Sequence, residues 1–178
     1  LPIFRGRMFE LLALEFLIRN DLLGDKIIPI IEPVKITTTL RRVIESFIEK
    51  RHEIGLVCNP TVGELVHESS QIISTITEIN GFQEYLIPVL HMNEDCDTTY
   101  QQLSDYYSKE ALIASCSQIE NISRCLSFVQ DECLRYILVG ESREFTRQIP
   151  SNLGGKVLCA DRFSKRQRNV DYIEDEDE

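Results

Sequence analysis

Short apolar runs that stop abruptly at a polar residue recur along this 178-residue sequence, and they constrain its fold more than any other feature. A clear example lies at 26–31, where an isoleucine-rich run is followed directly by Glu32 and Pro33. Such runs are typical of strands that are buried on both faces of a parallel sheet. They predict about six strands, at residues 26–31, 54–58, 85–90, 111–115, 134–139 and 156–160.

Successive predicted strands begin 22 to 31 residues apart, and each interval holds one stretch with helical spacing. In the first interval, Thr37 is placed to cap a helix in which Leu40, Val43 and Phe47 repeat every three or four residues. A further helix, at 6–20, precedes the first predicted strand, and its wide apolar face must cover one face of the sheet or close one end of a barrel. One helix between two strands predicts parallel neighbours with right-handed crossovers.

Two folds accept this order of elements, an open doubly wound sheet and a (βα) barrel. The turn after the first predicted strand contains no glycine, which argues against a dinucleotide-binding open sheet. The polar residue after nearly every predicted strand favours the barrel, in which such residues gather at one mouth. A full barrel needs eight strands, so we predict an α/β fold of parallel (βα) repeats that is TIM-barrel-like but incomplete.

The charge distribution divides the chain into two parts. The formal net charge is −10, and the acidic segment 171–178 alone contributes −6, which leaves −4 for the rest. We therefore expect a single (βα)-repeat domain at 1–170, a fragment of a longer barrel, followed by the acidic segment. A mildly acidic domain argues against a broad nucleic-acid surface. The uncovered edges of an incomplete barrel would need a cover, and a homodimer is one way to provide it.

The remaining composition indicates a cytoplasmic protein that does not enter membranes. No apolar run approaches the roughly 20 residues that a transmembrane helix needs. The six cysteines are scattered without a C-x-x-C pair, which is typical of reduced thiols and offers no close ligand pair for zinc. The sequence identifies no metal and no cofactor.

Four stretches carry a resemblance to a known family: residues 4–14, Ile28-Pro29-Ile30-Ile31-Glu32-Pro33-Val34, Asn59-Pro60-Thr61-Val62-Gly63 and residues 171–177. They resemble the "beta protein" family of bacteria and their phages, and the resemblance covers all 178 residues in register. In that family the chain continues past the acidic segment, which implies that these residues are the N-terminal part of a longer protein. The family has no agreed catalytic residues, and its distribution implies at most a role in phage–host conflict.

The polar residues at the ends of the predicted strands are the candidate site, because catalytic groups of this fold come from the C-terminal ends of several strands. Arg5 lies at a helix start, where it is either a solvated residue or an anion clamp that reaches this rim. His91 and Glu94 form an H-x-x-E pair, which is too little to indicate a metal. The predicted catalytic residues are Glu32, His91, Glu141 and Asp161, and the predicted substrate-binding residues are Arg5, Asn59, Asn93 and Arg162.

Two functions remain open from the sequence. The first is a hydrolase or lyase that uses this rim for acid–base chemistry on a small anionic substrate. The second is a non-catalytic protein-binding component of phage–host conflict, which recognises its protein partner through the acidic segment or an uncovered sheet edge.

Overall fold

Strands and helices alternate along the part of the chain that the computed structural model describes, residues 1–129, 134–149 and 154–159. The strands are β1 (Ile3–Phe4), β2 (Ile30–Ile31), β3 (Ile54–Val57), β4 (Leu86–His91), β5 (Ile113–Cys116), β6 (Leu134–Gly140) and β7 (Gly154–Cys159). The α-helices are α1 (Met8–Arg19), α2 (Thr38–Glu49), α3 (Ser69–Thr77), α4 (Phe82–Tyr85), α5 (Cys96–Leu103), α6 (Ile122–Val129) and α7 (Arg143–Gln148). Short 3-10 helices lie at Gly63–Leu65, Lys109–Ala111 and Ile119–Asn121.

The seven strands form one parallel sheet in the order β1 to β7, and the sheet curls into a half-barrel with the helices on its outer side. This confirms the predicted class of fold, a TIM-barrel-like but incomplete arrangement of parallel (βα) repeats. All C-terminal strand ends therefore point to one rim. The predicted acidic segment 171–178 and the end of the predicted domain, residues 160–170, lie outside the described residues.

The structure has one strand more than the sequence predicted. β1 has only two residues and follows Pro2, so it carries almost none of the apolar length that marks a strand. Its pairing is nevertheless regular, because Ile30 N donates to Pro2 O and Glu32 N donates to Phe4 O, each at 2.8 Å. The helix predicted at 6–20 is thus α1 of a first βα unit, and it covers the outer face of the sheet.

Local signals in the sequence explain where the first helices begin and end. Thr37 caps α2 as predicted, since Leu40 N donates to its Oγ1 at 3.0 Å. After α1, a turn in which Ile27 N donates to Gly24 O at 2.9 Å takes up residues that were predicted to be strand. As a result β2 begins at Ile30 rather than at residue 26, and Ile27 is 42% exposed.

Apolar side chains on the two faces of the sheet form two separate clusters. On the outer face, residues such as Leu56 and Leu90 pack with Leu14, Phe47 and Ile72 of the helices. The concave face is lined by a smaller buried cluster, which consists of Ile28, Ile30, Val57, Ile87, Val89, Ile113 and Leu138. The polar residues at the strand ends therefore sit above an apolar floor. None of the helices in the described part of the chain is long and apolar enough to cross a bilayer.

Candidate functional site

Glu32 is the centre of the candidate site. It directly follows β2, and although it is a carboxylate only 4% of its surface is exposed. Its Oε2 accepts a hydrogen bond from Arg5 Nη1 at 2.8 Å. Its Oε1 accepts from both the backbone N and the Oγ1 of Thr61 at 3.0 Å, and lies 3.3 Å from His91 Nε2. The side chain thus joins residues that follow or end β1, β3 and β4.

Two glycines allow the neighbouring loops to close on Glu32. Gly6 has φ 63°, and a Cβ there would lie 3.1 Å from Glu32 O. Gly63 has φ 83°, and a Cβ there would lie 2.3 Å from Val34 O, which is closer than any side chain can approach. Because Gly63 has no side chain, the loop comes close enough for Glu64 N to donate to Val34 O at 2.8 Å. Glycine is needed at both positions because the backbone is left-handed and the loops are in contact.

The hydrogen bonds keep Glu32 ionised despite its burial. Burial by itself would raise the pKa of this carboxyl, but donors from His91 and then from Thr61 outweigh it and lower the pKa from 4.5 to about 2. At neutral pH Glu32 therefore accepts hydrogen bonds and carries no proton to donate. A carboxylate held in this way positions its neighbours more readily than it transfers protons.

The amide of Asn59 fixes His91 in place. Asn59 is 2% exposed, its Oδ1 accepts from His91 N, and its Nδ2 donates to His91 O, each at 2.8 Å. The same Nδ2 donates to Asn93 Oδ1 at 2.8 Å. The backbone of His91 is thus fixed, and its Nε2 faces an ionised carboxylate, a contact that favours the tautomer with the proton on Nε2. Its Nδ1 has no hydrogen-bond partner within residues 1–129, 134–149 and 154–159.

Arg5 completes the site because β1 pairs with β2. The ladder bond from Glu32 N to Phe4 O sets the next residue, Arg5, beside the Glu32 side chain. Only its Nη1 bonds to Glu32, and 52% of the side chain is exposed. The rest of the guanidinium fork can therefore bind a carboxylate or phosphate group. Of the two readings of Arg5 that the sequence allowed, the one in which it reaches the rim agrees with this position.

Five of the eight predicted site residues thus lie together, namely Arg5, Glu32, Asn59, His91 and Asn93. Glu141 lies elsewhere, four strands along the sheet from β2, where neighbouring strands are roughly 4.8 Å apart. It is exposed and lines a cavity of about 340 Å³ with Ser142, Arg143, Arg147 and Leu158. The predictions for Asp161 and Arg162 lie outside the described residues.

Sequence reasoning missed the contribution of Thr61. It lies in the loop after β3, two residues beyond Asn59, which is the residue predicted for this strand end. The signal was present in Asn59-Pro60-Thr61-Val62-Gly63, because a proline and a glycine around one threonine restrict the path of a loop. A second histidine, His67, was also missed. Its Nδ1 lies 2.7 Å from Asp95 Oδ2.

The possible metal ligands and thiols near the strand ends can be described for part of the chain, where Cys58 and Cys116 are both buried. Within the described residues, no group of three or more His, Cys, Asp or Glu side chains is placed to hold a metal ion. Cys116 ends β5 but belongs to the outer cluster, where its Sγ is 3.6 Å from Gln118 O. Burial raises the pKa of the Cys58 thiol to about 12. The groups that the described part of the rim brings together are a carboxylate, an imidazole, a guanidinium and two amides.

Fold and site together define a class of protein, a half-barrel of parallel (βα) repeats with a histidine–carboxylate–arginine cluster at the rim formed by the C-terminal strand ends. Comparison with protein-family models, with characterised proteins and with solved structures gives no match to this chain.

Proposed function

We propose that this protein is an enzyme, a hydrolase or lyase that acts on a small anionic substrate at the rim around Glu32. His91 is the proton-transfer residue, Arg5 binds the anionic group of the substrate, and Glu32 is a positioning residue for both. The observation that carries this proposal is that the buried carboxylate of Glu32 contacts both residues. Its Oε2 lies 2.8 Å from Arg5 Nη1, and its Oε1 lies 3.3 Å from His91 Nε2.

The contacts that Glu32 makes with His91 and Arg5 support this proposal, because each contact has a different effect. The carboxylate of Glu32 faces Nε2 of His91 and orients the imidazole, so that Nδ1 is the nitrogen that exchanges a proton with water or substrate. The neighbouring guanidinium offsets the negative charge of Glu32, so an anionic substrate is not repelled from the rim. Asn59 holds the backbone of His91, and Asn93 accepts a hydrogen bond from Asn59, which helps to keep the reacting groups oriented.

A turnover assay tests this proposal. Wild-type protein is incubated with a panel of phosphate esters and small hydroxy acids, and product formation is followed by NMR. We expect turnover of at least one compound, its loss in His91→Gln, and its retention in the control His52→Gln. His52 lies at the other end of the strands, where its ring nitrogens contact Glu53 O and Gly24 O. No turnover across the panel, or equal turnover in His91→Gln, would contradict the proposal.

A second candidate, a non-catalytic protein-binding component, is favoured by the surface of α1. Phe9 is 85% exposed, Phe16 is 61% exposed and Leu12 is 41% exposed, so this helix presents an apolar stripe on the side away from the core. The stripe belongs to the same βα unit as β1, which forms one edge of the sheet. The simplest partner for this stripe is a second copy of the same chain.

Analytical ultracentrifugation tests this second candidate. The wild type should sediment as a dimer, and the double variant Phe9→Glu with Phe16→Glu should sediment as a monomer. A monomeric wild type would contradict self-association through α1.

Membership of the "beta protein" family, a cytoplasmic location and a role in phage–host conflict are further parts of the proposal. They rest on the sequence resemblance and on composition.

A further inference from the structure

A second histidine–carboxylate pair lies on the loops that follow β3 and β4. His67 Nδ1 is 2.7 Å from Asp95 Oδ2, and the two side chains are 63% and 29% exposed. This pair resembles the one between His91 and Glu32, in that each imidazole has one nitrogen on a carboxylate. Within the described part of the chain, His67 Nε2 has no hydrogen-bond partner.

The two pairs belong to one hydrogen-bond network. Asp95 N donates to Asn93 Oδ1 at 3.1 Å, and the same oxygen accepts from Asn59 Nδ2 at 2.8 Å. Asn59 in turn binds the backbone N and O of His91. The amides that hold the backbone of His91 therefore also hold the loop that carries Asp95, the partner of His67.

The backbone at His67 also needs an explanation. Its φ is 62°, in the left-handed region that favours glycine. A histidine in this conformation keeps an imidazole on the rim at a conformational cost that glycine would avoid. The exposed pair with Asp95 recovers little of that cost, because ion pairs in solvent contribute little to stability. A strained and exposed imidazole with an oriented ring points to a function for the ring itself.

We propose that His67 is a second proton-transfer residue of the same site. This inference rests on the proposed function, since it assigns the acid that works with His91 as base. In a hydrolysis, His91 Nδ1 takes the proton that water loses as its oxygen bonds to the electrophilic centre. The bond from that centre to the leaving oxygen breaks, and this oxygen takes the Nε2 proton of His67, which acts as an imidazolium while its Nδ1–H donates to Asp95.

The proton count balances, because His91 gains the proton that His67 loses and exchange with solvent restores both rings. In an elimination the same two transfers apply to a C–H proton and to the leaving oxygen, as the carbon–oxygen bond breaks and a carbon–carbon double bond forms. Asp95 is a positioning residue in both reactions, as Glu32 is for His91.

The three histidines of the chain make a direct experiment possible. The imidazole resonances of the whole protein are recorded by long-range ¹H–¹⁵N NMR while inorganic phosphate is added. We expect His67 and His91 to shift with one common Kd and His52 to stay unchanged. If His91 shifts and His67 does not, the role of His67 is excluded while the proposed function stands. If neither shifts, the proposed anion site fails and the inference about His67 fails with it.

Variants then separate catalysis from loop structure. On a compound that the wild type turns over, His67→Gln should lower kcat roughly 100-fold, the typical contribution of a general acid, and leave KM nearly unchanged. Asp95→Asn should lower kcat less, also at unchanged KM, because the ring loses its orienting carboxylate. A purely structural role would lower the thermal stability or raise KM and leave kcat of the folded protein as in wild type, and that result would overturn the proposal.

Discussion

The rim of the half-barrel has two parts that differ sharply. At the ends of β1 to β4, Arg5, Glu32, Asn59 and His91 are joined by hydrogen bonds of 2.8 to 3.3 Å, and Glu32 and Asn59 are almost fully buried. At the end of β6, Glu141 follows its strand just as Glu32 follows β2, yet it is exposed. The same sequence pattern of an apolar strand followed by a carboxylate thus leads to two different environments.

The difference lies in the loops. Around Glu32, Gly6 and Gly63 let two loops approach the Glu32–Val34 backbone to within van der Waals contact, and the approach excludes water. Around Glu141, the next residue, Ser142, caps α7 by accepting from Phe145 N at 3.3 Å, and the chain turns directly into the helix. A polar strand end is buried when neighbouring loops close on it, as they do on Glu32. The predictions that follow test this contrast.

The largest effect is expected from Gly63→Ala. The new Cβ would lie 2.3 Å from Val34 O in a left-handed backbone, so the loop has to move away. We expect a loss of about 4 kcal/mol in the free energy of unfolding, measured with urea. The matched control is Gly24→Ala, whose Cβ meets nothing closer than Ile27 Cδ1 at 4.0 Å. Equal stabilities of the two variants would contradict the role given to the loops.

Glu32→Gln compared with Glu141→Gln is the next test. The pKa of Glu32 lies at about 2 instead of 4.5, which corresponds to about 3 kcal/mol of stability at neutral pH. Glu32→Gln should lose that amount, whereas Glu141→Gln should stay within about 0.5 kcal/mol of wild type, as is usual at exposed positions. If urea unfolding shows similar losses of free energy for both variants, the two carboxylates contribute equally to stability and the contrast between the two parts of the rim is wrong.

The pH dependence of stability separates the same two carboxylates. Because the pKa of Glu32 is lowered on folding, its contribution is complete above about pH 4.5 and is lost as the pH falls towards about 2. The stability gap between wild type and Glu32→Gln should therefore shrink by most of its roughly 3 kcal/mol between about pH 5 and about pH 2. A gap that stays constant over this range, measured by urea unfolding at successive pH values, would show that Glu32 is not held ionised.

Arg5→Ala should change the free energy of unfolding least of these variants, but it should clearly weaken the binding of inorganic phosphate. Half of the Arg5 side chain is in solvent, so the ion pair with Glu32 should contribute no more than about 1 kcal/mol. Loss of the guanidinium should nevertheless weaken binding of inorganic phosphate by roughly tenfold or more, measured by calorimetry. Arg41→Ala is the control, since Arg41 also pairs one Nη1 with a glutamate, Glu78, but lies on the outer helix α2. Equal affinities in the two variants would exclude Arg5 as the anion clamp.

Much of the fold could be predicted from the sequence because parallel strands buried on both faces must be apolar throughout. All four residues of β3 are buried, and the capping threonine of α2 is where its residue type suggests. β1 could not be predicted in this way. A two-residue strand has too few side chains to show a period, and it exists because Pro2 and Phe4 carbonyls meet the amides around β2.

The site was predictable in part for a related reason. Residues directly after a strand, such as Glu32 and Asn59, are fixed at the rim by the sheet. Which of them meet depends on loop paths, so Glu141 was grouped with Glu32 although it lies four strands away. Thr61 and His67 were missed because they lie within a loop, where contacts depend on backbone conformations that residue types indicate only weakly.

The most direct test of the site is the imidazole spectrum of His91, assigned with His91→Gln. We predict that uncharged His91 carries its proton on Nε2, the nitrogen that lies 3.3 Å from Glu32 Oε1, and that Nδ1 is the acceptor. In Glu32→Gln this preference should weaken. A proton on Nδ1 in the wild type, or a spectrum that Glu32→Gln leaves unchanged, would contradict the assignment of Glu32 as the residue that positions His91 for proton transfer.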